Sequence, residues 1–183
     1  MSYIIPTNEL TLTDIRGFRS AAVEAGIAAA TPPKGAIASS REGLIVRAGQ
    51  QIADFLQAAT QEFWQTPALA VLGNPYSVFG ASATPQLGNN KLAIFYKAGI
   101  ETAPSPVSLL SFRQGATAGT TKAVFDLEQL VTKMEVEGYF TEPVVFLPQA
   151  VMNIVVTCRI VTNLLARVPL GVFIVEPVQQ TIS

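Results

Sequence analysis

Hydrophobic and polar residues alternate most clearly late in the chain, between Pro143 and Pro177. Met152, Ile154, Val156, Cys158 and Ile160 fall on one side of the alternation; Asn153, Val155, Thr157, Arg159, Val161 and Asn163 fall on the other. Successive side chains of a strand point to opposite faces, so this pattern predicts a strand with one face in a core and one mixed face. Val168 to Val175 is apolar at nearly every position, as a strand covered on both sides would be. The stretch is expected to supply the central strand pair of a β-sandwich, with Val155, Arg159, Val161 and Asn163 forming a mixed surface suited to contact with another subunit.

Upstream, short apolar runs alternate with turn clusters. ALAVL, YSVFG, KLAIFYKAG, VSLLSFRQG and TKAVFDL are separated by GNP, Gly88–Asn89–Asn90, ETAPSP and GATAGT. Within KLAIFYKAG, Leu92, Ile94 and Tyr96 share one face and Ala93, Phe95 and Lys97 the other. Leu44 to Arg47 reads as a further short strand. Asp126 and Gln129 predict a capped helical turn over Leu127–Val131. Lys133 to Glu137 alternates, predicting a half-exposed strand with Met134 and Val136 inward. Many short strands at this spacing indicate an antiparallel sandwich or barrel.

Two segments carry the helical period instead. Ile15, Phe18, Ala22 and Val23 predict an amphipathic helix over Asp14–Ala30, capped by Thr11 or Thr13 and weakened by Gly17 and Gly26. Such a helix either packs on the sheet or docks as an arm on a neighbouring subunit. Gln50 to Gln65 places Ile52, Phe55, Leu56, Ala59 and Phe63 at helical spacing before Pro67; the alternative is an irregular crossing loop held by Phe63 and Trp64. The expected fold is mainly β, an antiparallel β-sandwich or jelly-roll-like domain with an N-terminal helical arm. Residues 1–43 form the arm, its helix and the loop TPPKGAIASSREG. Residues 44–183 form the sandwich, ending in the polar tail VQQTIS.

Composition changes the functional picture more than the structural one. Of 183 residues, 49% are hydrophobic and only 14% charged, against about 25% charged in an average soluble chain. Surfaces need charge to stay apart from their neighbours, so this chain is expected to hide surface against other subunits or a membrane. A spanning helix is disfavoured: Asn153, Arg159, Asn163 and Arg167 interrupt the best candidate, Ala150–Val168. The first nineteen residues lack a basic stretch followed by an apolar run, so no signal peptide is expected. The net charge of −1 and the lack of any Lys/Arg cluster disfavour direct nucleic-acid binding.

Candidate chemistry is sparse, and no catalytic, cofactor-binding or metal-ligating residue is assigned. The chain has no histidine, the commonest general base and transition-metal ligand. Cys158 is the single cysteine and lies in the apolar row, so it reads as a core residue rather than a reactive thiol; Arg159 next to it would point to the other face. Glu135 and Glu137 share the outward side of their expected strand and read as a solvated or subunit-facing edge. No GxSxG, GxGxxG, phosphate-loop or calcium-loop pattern occurs. Trp64, Tyr76, Phe79, Phe95, Tyr96, Tyr139 and Phe140 would line a carbohydrate or lipid pocket in a binding protein, or anchor a core or interface.

A helical arm at Leu12–Ala30, the loop TPPKGAIASS, the series KLAIFYKAG, PVSLLSFRQGA, GTTKAVFDLEQL and GYFTEPVVFLPQ, and the close GVFIVEPVQQ together resemble virion structural proteins of tailed bacteriophages, especially the capsid-decoration or cement type. The resemblance implies a non-enzymatic protein, made in the host cytoplasm and resident in the virion. It implies binding to the major capsid protein and to copies of itself, as a homotrimer or lattice assembly, with no cofactor. Other phage roles (tail, neck, minor capsid), a ligand-binding β-sandwich, and an enzyme using carboxylate or Ser–Lys chemistry are the alternatives.

Overall fold

In a computed structural model, described for residues 2–32, 37–38, 40–50, 54–55, 64–80, 85–101, 105–115 and 119–178, the chain is one long hairpin rolled upon itself. Its strands are β1 (Ile4–Pro6), β2 (Leu44–Ala48), β3 (Gln65–Leu69), β4 (Pro75–Ser77), β5 (Leu92–Gly99), β6 (Val107–Gln114), β7 (Thr120–Asp126), β8 (Glu137–Phe146), β9 (Met152–Cys158), β10 (Thr162–Arg167) and β11 (Leu170–Pro177). Antiparallel pairs nest from the outside in: β2 with β11, β3 with β10, β4 with β9, β5 with β8, and β6 with β7 at the tip. Three further pairings, β1 with β8, β5 with β11 and β6 with β9, complete a five-stranded sheet ordered β1-β8-β5-β11-β2 and a four-stranded sheet ordered β4-β9-β6-β7. This wrapping is that of an antiparallel jelly-roll-like sandwich.

The alternation of each strand is satisfied by two different cores. Between the sheets lie Phe95, Phe112, Phe125, Phe140 and Phe146, with Val172 and Ile174 of β11. Phe112 sits at the centre, its ring within 5.2–6.5 Å of the other four phenylalanines. On the outer side of the larger sheet, Leu92, Ile94, Phe173 and Val175 meet helix α1 (Leu12–Ala30). This explains why β11 is apolar from Leu170 to Val175: one face meets the facing sheet and the other the helix. Tyr96 stacks on Phe173 at 4.5 Å, and Phe18 of α1 covers Tyr139. The helix starts in a capping box, with the Asp14 amide donating to Thr11 Oγ1 and the Asp14 carboxylate accepting from the Thr11 amide and hydroxyl. Gly26 lies against Ile94 and Val175, where a Cβ would collide with Ile94, so this glycine sets the close approach of helix to sheet. The helix therefore rests on its own chain's sheet.

Several expectations shift. The central strands of the late stretch do not pair with each other: β9 is interior to the smaller sheet and β11 to the larger. The core row ends at Cys158, and Ile160 is exposed where the chain turns toward β10. Val155 is buried rather than part of an open mixed surface. The first of the upstream strands begins at Gln65, includes Pro67 and ends at Leu69, because the Tyr76 hydroxyl takes the amide hydrogens of Ala70 and Val71 and diverts the chain. Helix α2 (Glu128–Thr132) matches the expected turn, with Asp126 Oδ1 accepting from the Glu128 amide. The strand expected over Lys133–Glu137 does not form. Met134 takes a left-handed backbone (φ 54°) directly after α2, and both Met134 and Val136 point to solvent. Most of the segment expected to be helical between Gln50 and Gln65, including Phe63, lies outside the described residues, as do half of TPPKGAIASS and the tail beyond Val178.

Candidate functional site

The two ends of the roll differ in chemistry. At one end the connections β4–β5, β6–β7 and β8–β9 meet, tied by Leu87 to Ala150, Gly115 to Val151 and the Gln149–Asn89 side-chain bond. Around these connections the described surface is polar, with Gln86, Asn89, Asn90, Gln114, Thr120 and Lys122, and Leu147 stands exposed among them. At the opposite end the connections β3–β4, β5–β6, β7–β8 and β9–β10 converge. Gly73 donates to the Cys158 carbonyl, Arg159 and Ile160 donate to the Pro106 carbonyl, and Ile100 donates to the Val136 carbonyl.

Of thirteen exposed large hydrophobic side chains among the described residues, eight lie at this second end: Val71, Leu72, Met134, Val136, Ile160, Val161, Leu164 and Leu165. The ribbon of β3 and β10 explains the last pair. Its register slips between Thr162 and Leu165 and again before Arg167. A bulge breaks the in-out alternation of a strand, so two consecutive leucines both face water, at 73% and 51% exposure. Just past them the Ala166 amide donates to the buried Thr66 hydroxyl, one of the bonds that tie β10 to β3.

Charges at this end are satisfied within the chain. Arg159 meets Glu128 at 3.4 Å, Arg167 meets Glu101 at 3.4 Å and Lys133 meets Glu9 at 2.7 Å. Glu135 accepts its neighbour's amide hydrogen from Val136, and Glu137 pairs with Lys97 at 2.9 Å. The two glutamates expected to share a strand edge are thus separately engaged. A cleft of about 420 Å³ flanks this end, between β1 and α2, lined by Tyr3, Ile5, Asp126, Gln129 and the Glu9–Lys133 pair.

Elsewhere, the residues considered for chemistry are placed in structural roles. Cys158 is buried in the inter-sheet core, with its thiol directed at the Ile160 carbonyl. Trp64, Phe79, Phe95 and Phe140 pack in that core, and Tyr96 and Tyr139 pack beneath α1. Among the described residues no cluster of three or more His, Cys, Asp or Glu is placed to hold a metal ion, and no helix is long and apolar enough to cross a membrane.

Among the described residues the strongly perturbed acid is Asp54, whose carboxylate has no exposure. Arg47 of β2 reaches it through two bonds of 2.7 and 2.8 Å, Lys91 through one of 2.9 Å and the Gln50 amide through one of 2.8 Å. Burial alone would raise the pKa of this carboxyl; the hydrogen bonds from Arg47, Gln50 and Lys91 outweigh it and hold the pKa at about 2. Arg47 also forks onto Glu176 of β11, and both acids push the guanidinium pKa upward. Two cations facing two acids, all with partners in the chain, form a clamp that fastens the segment after β2 to the larger sheet.

No protein-family model, curated protein or solved structure matches this chain. Fold and surface therefore define only a class: a jelly-roll-like sandwich with a polar end, an apolar end and an internally bonded ion clamp.

Proposed function

We propose that the protein is a non-enzymatic virion structural protein that binds and stabilises a capsid lattice as a decoration or cement protein. The observation that supports this most is the gathering of eight of the thirteen exposed large apolar side chains among the described residues at one end of a jelly-roll-like body. Jelly rolls serve in viral shells as well as in lectins and cupins, so fold alone does not decide. The aromatic residues that would line a ligand pocket are spent on the two cores. An exposed apolar end, in a chain with few charges, suits permanent contact with other subunits. Its partners in this reading are the major capsid protein and further copies of the chain. Many modest contacts repeated over a lattice resist rupture together, because each one formed raises the effective concentration of the next.

Quantitative mass spectrometry of purified virions from the source culture tests this directly. The proposal expects the chain in fixed ratio to the shell protein, retained through gradient purification. Its absence from particles, with abundant free protein in the lysate, would refute it.

A further inference from the structure

We infer that the apolar end is the docking surface for a second copy of this chain, with Leu164 and Leu165 as its centre; the inference rests on the assembly reading above. Three observations favour this occupant. The first is area. The eight exposed apolar side chains present on the order of 800 Å² of surface, about what each partner contributes to a standard interface. The second is charge. Arg159, Arg167 and Lys133 are each held by a carboxylate of the same chain. Among the described residues this surface thus offers no free cationic cluster to a nucleic acid or an anionic lipid, and an incoming copy need supply no countercharge.

The third is shape. The bulged ribbon projects two adjacent leucines, while Val71 and Leu72 stand at the neighbouring corner, joined to it through the Leu69–Thr162 pairing and the Gly73–Cys158 hydrogen bond. Every copy carries both features at fixed spacing. The leucine pair of one copy can therefore cover the Val71–Leu72 corner of the next, a head-to-tail contact that closes into a ring when the rotation permits. The binding energy of an interface concentrates near its centre, where surrounding contacts exclude water.

Sedimentation velocity over a concentration series tests the assignment on three chains: wild type, Leu164→Asp/Leu165→Asp, and Leu147→Asp at the polar end as control. Wild type and control are expected to self-associate. The double variant is expected to sediment as a monomer, its self-affinity weakened about a hundredfold or more, with a circular-dichroism spectrum unchanged. If the double variant fails to fold, Val71→Ser/Leu72→Ser takes its place and the same loss is expected. A wild type that associates, with a folded variant of this surface associating equally well, overturns the docking surface and leaves the assembly reading standing. A wild type that stays monomeric throughout overturns both.

Discussion

Arg47 grips Asp54 through two short hydrogen bonds although the Asp54 carboxylate is wholly buried. The native pKa of about 2 lies below the ordinary 3.8. A carboxyl depressed on folding contributes stability that is fully present above its unfolded pKa and lost as pH falls through the folded one. The clamp therefore contributes about 2 kcal/mol at neutral pH that disappears between about pH 4 and about pH 2. Urea titrations across that range check the slope. Asp54→Asn should cost on the order of 3 kcal/mol at neutral pH, because it leaves Arg47 and Lys91 short of a partner, and should flatten the acid limb.

Gly26 and Gly17 lie on the same helix and should answer oppositely to the same substitution. A Cβ at Gly26 would collide with Ile94, and overpacking costs about 1–3 kcal/mol. Nothing lies within 4 Å of a Cβ at Gly17, so Gly17→Ala gains helix propensity of about 0.5–1 kcal/mol. Thermal melts of the two variants should move in opposite directions; parallel shifts would mean that α1 does not rest on β5 as described.

Val156 and Arg159 are three residues apart and separate folding from surface. Val156 is fully buried between the sheets, so Val156→Asp places a charge without a partner in the core at a cost of several kcal/mol and should abolish folding. Arg159 is an exposed partner of Glu128, and such pairs contribute about 0–1 kcal/mol. Arg159→Glu should fold normally, set two carboxylates against each other at the apolar end and weaken assembly. Circular dichroism reads the first effect and light scattering the second.

Phe112 touches four other phenylalanine rings from β6. Phe112→Ala should cost about 3–5 kcal/mol, and Phe112→Leu distinctly less. Equal losses in chemical denaturation would argue against a tightly filled inter-sheet core.

Much of this fold was legible in the order of residues. The two faces of KLAIFYKAG, the fully covered β11 and the helix over Asp14–Ala30 follow from period alone, because each reflects a single element meeting a core. Which sheet each strand joins did not follow, since the nested pairing links residues more than a hundred apart, such as Leu44 and Pro177. Lys133–Glu137 alternates like a strand, yet local pattern cannot register the left-handed turn at Met134 that points its apolar residues outward. The ion clamp was invisible for the same reason of distance: Arg47 meets Glu176 across the whole sandwich sequence.

The apolar end was partly foreshadowed. Val161, Arg159 and Asn163 were expected at a subunit-facing surface and are exposed, whereas Val155 is buried. Leu164 and Leu165 were missed. Their signal was a pair of adjacent leucines between Asn163 and Arg167, a break in period 2 that marks a bulge.

The central claim, that this jelly-roll-like chain assembles through exposed apolar surface, is tested most directly by light scattering on the purified wild-type protein during size exclusion. The account predicts a mass that is a multiple of 19.5 kDa, with a trimer as the expected species. A mass of 19.5 kDa at every concentration tested would contradict it.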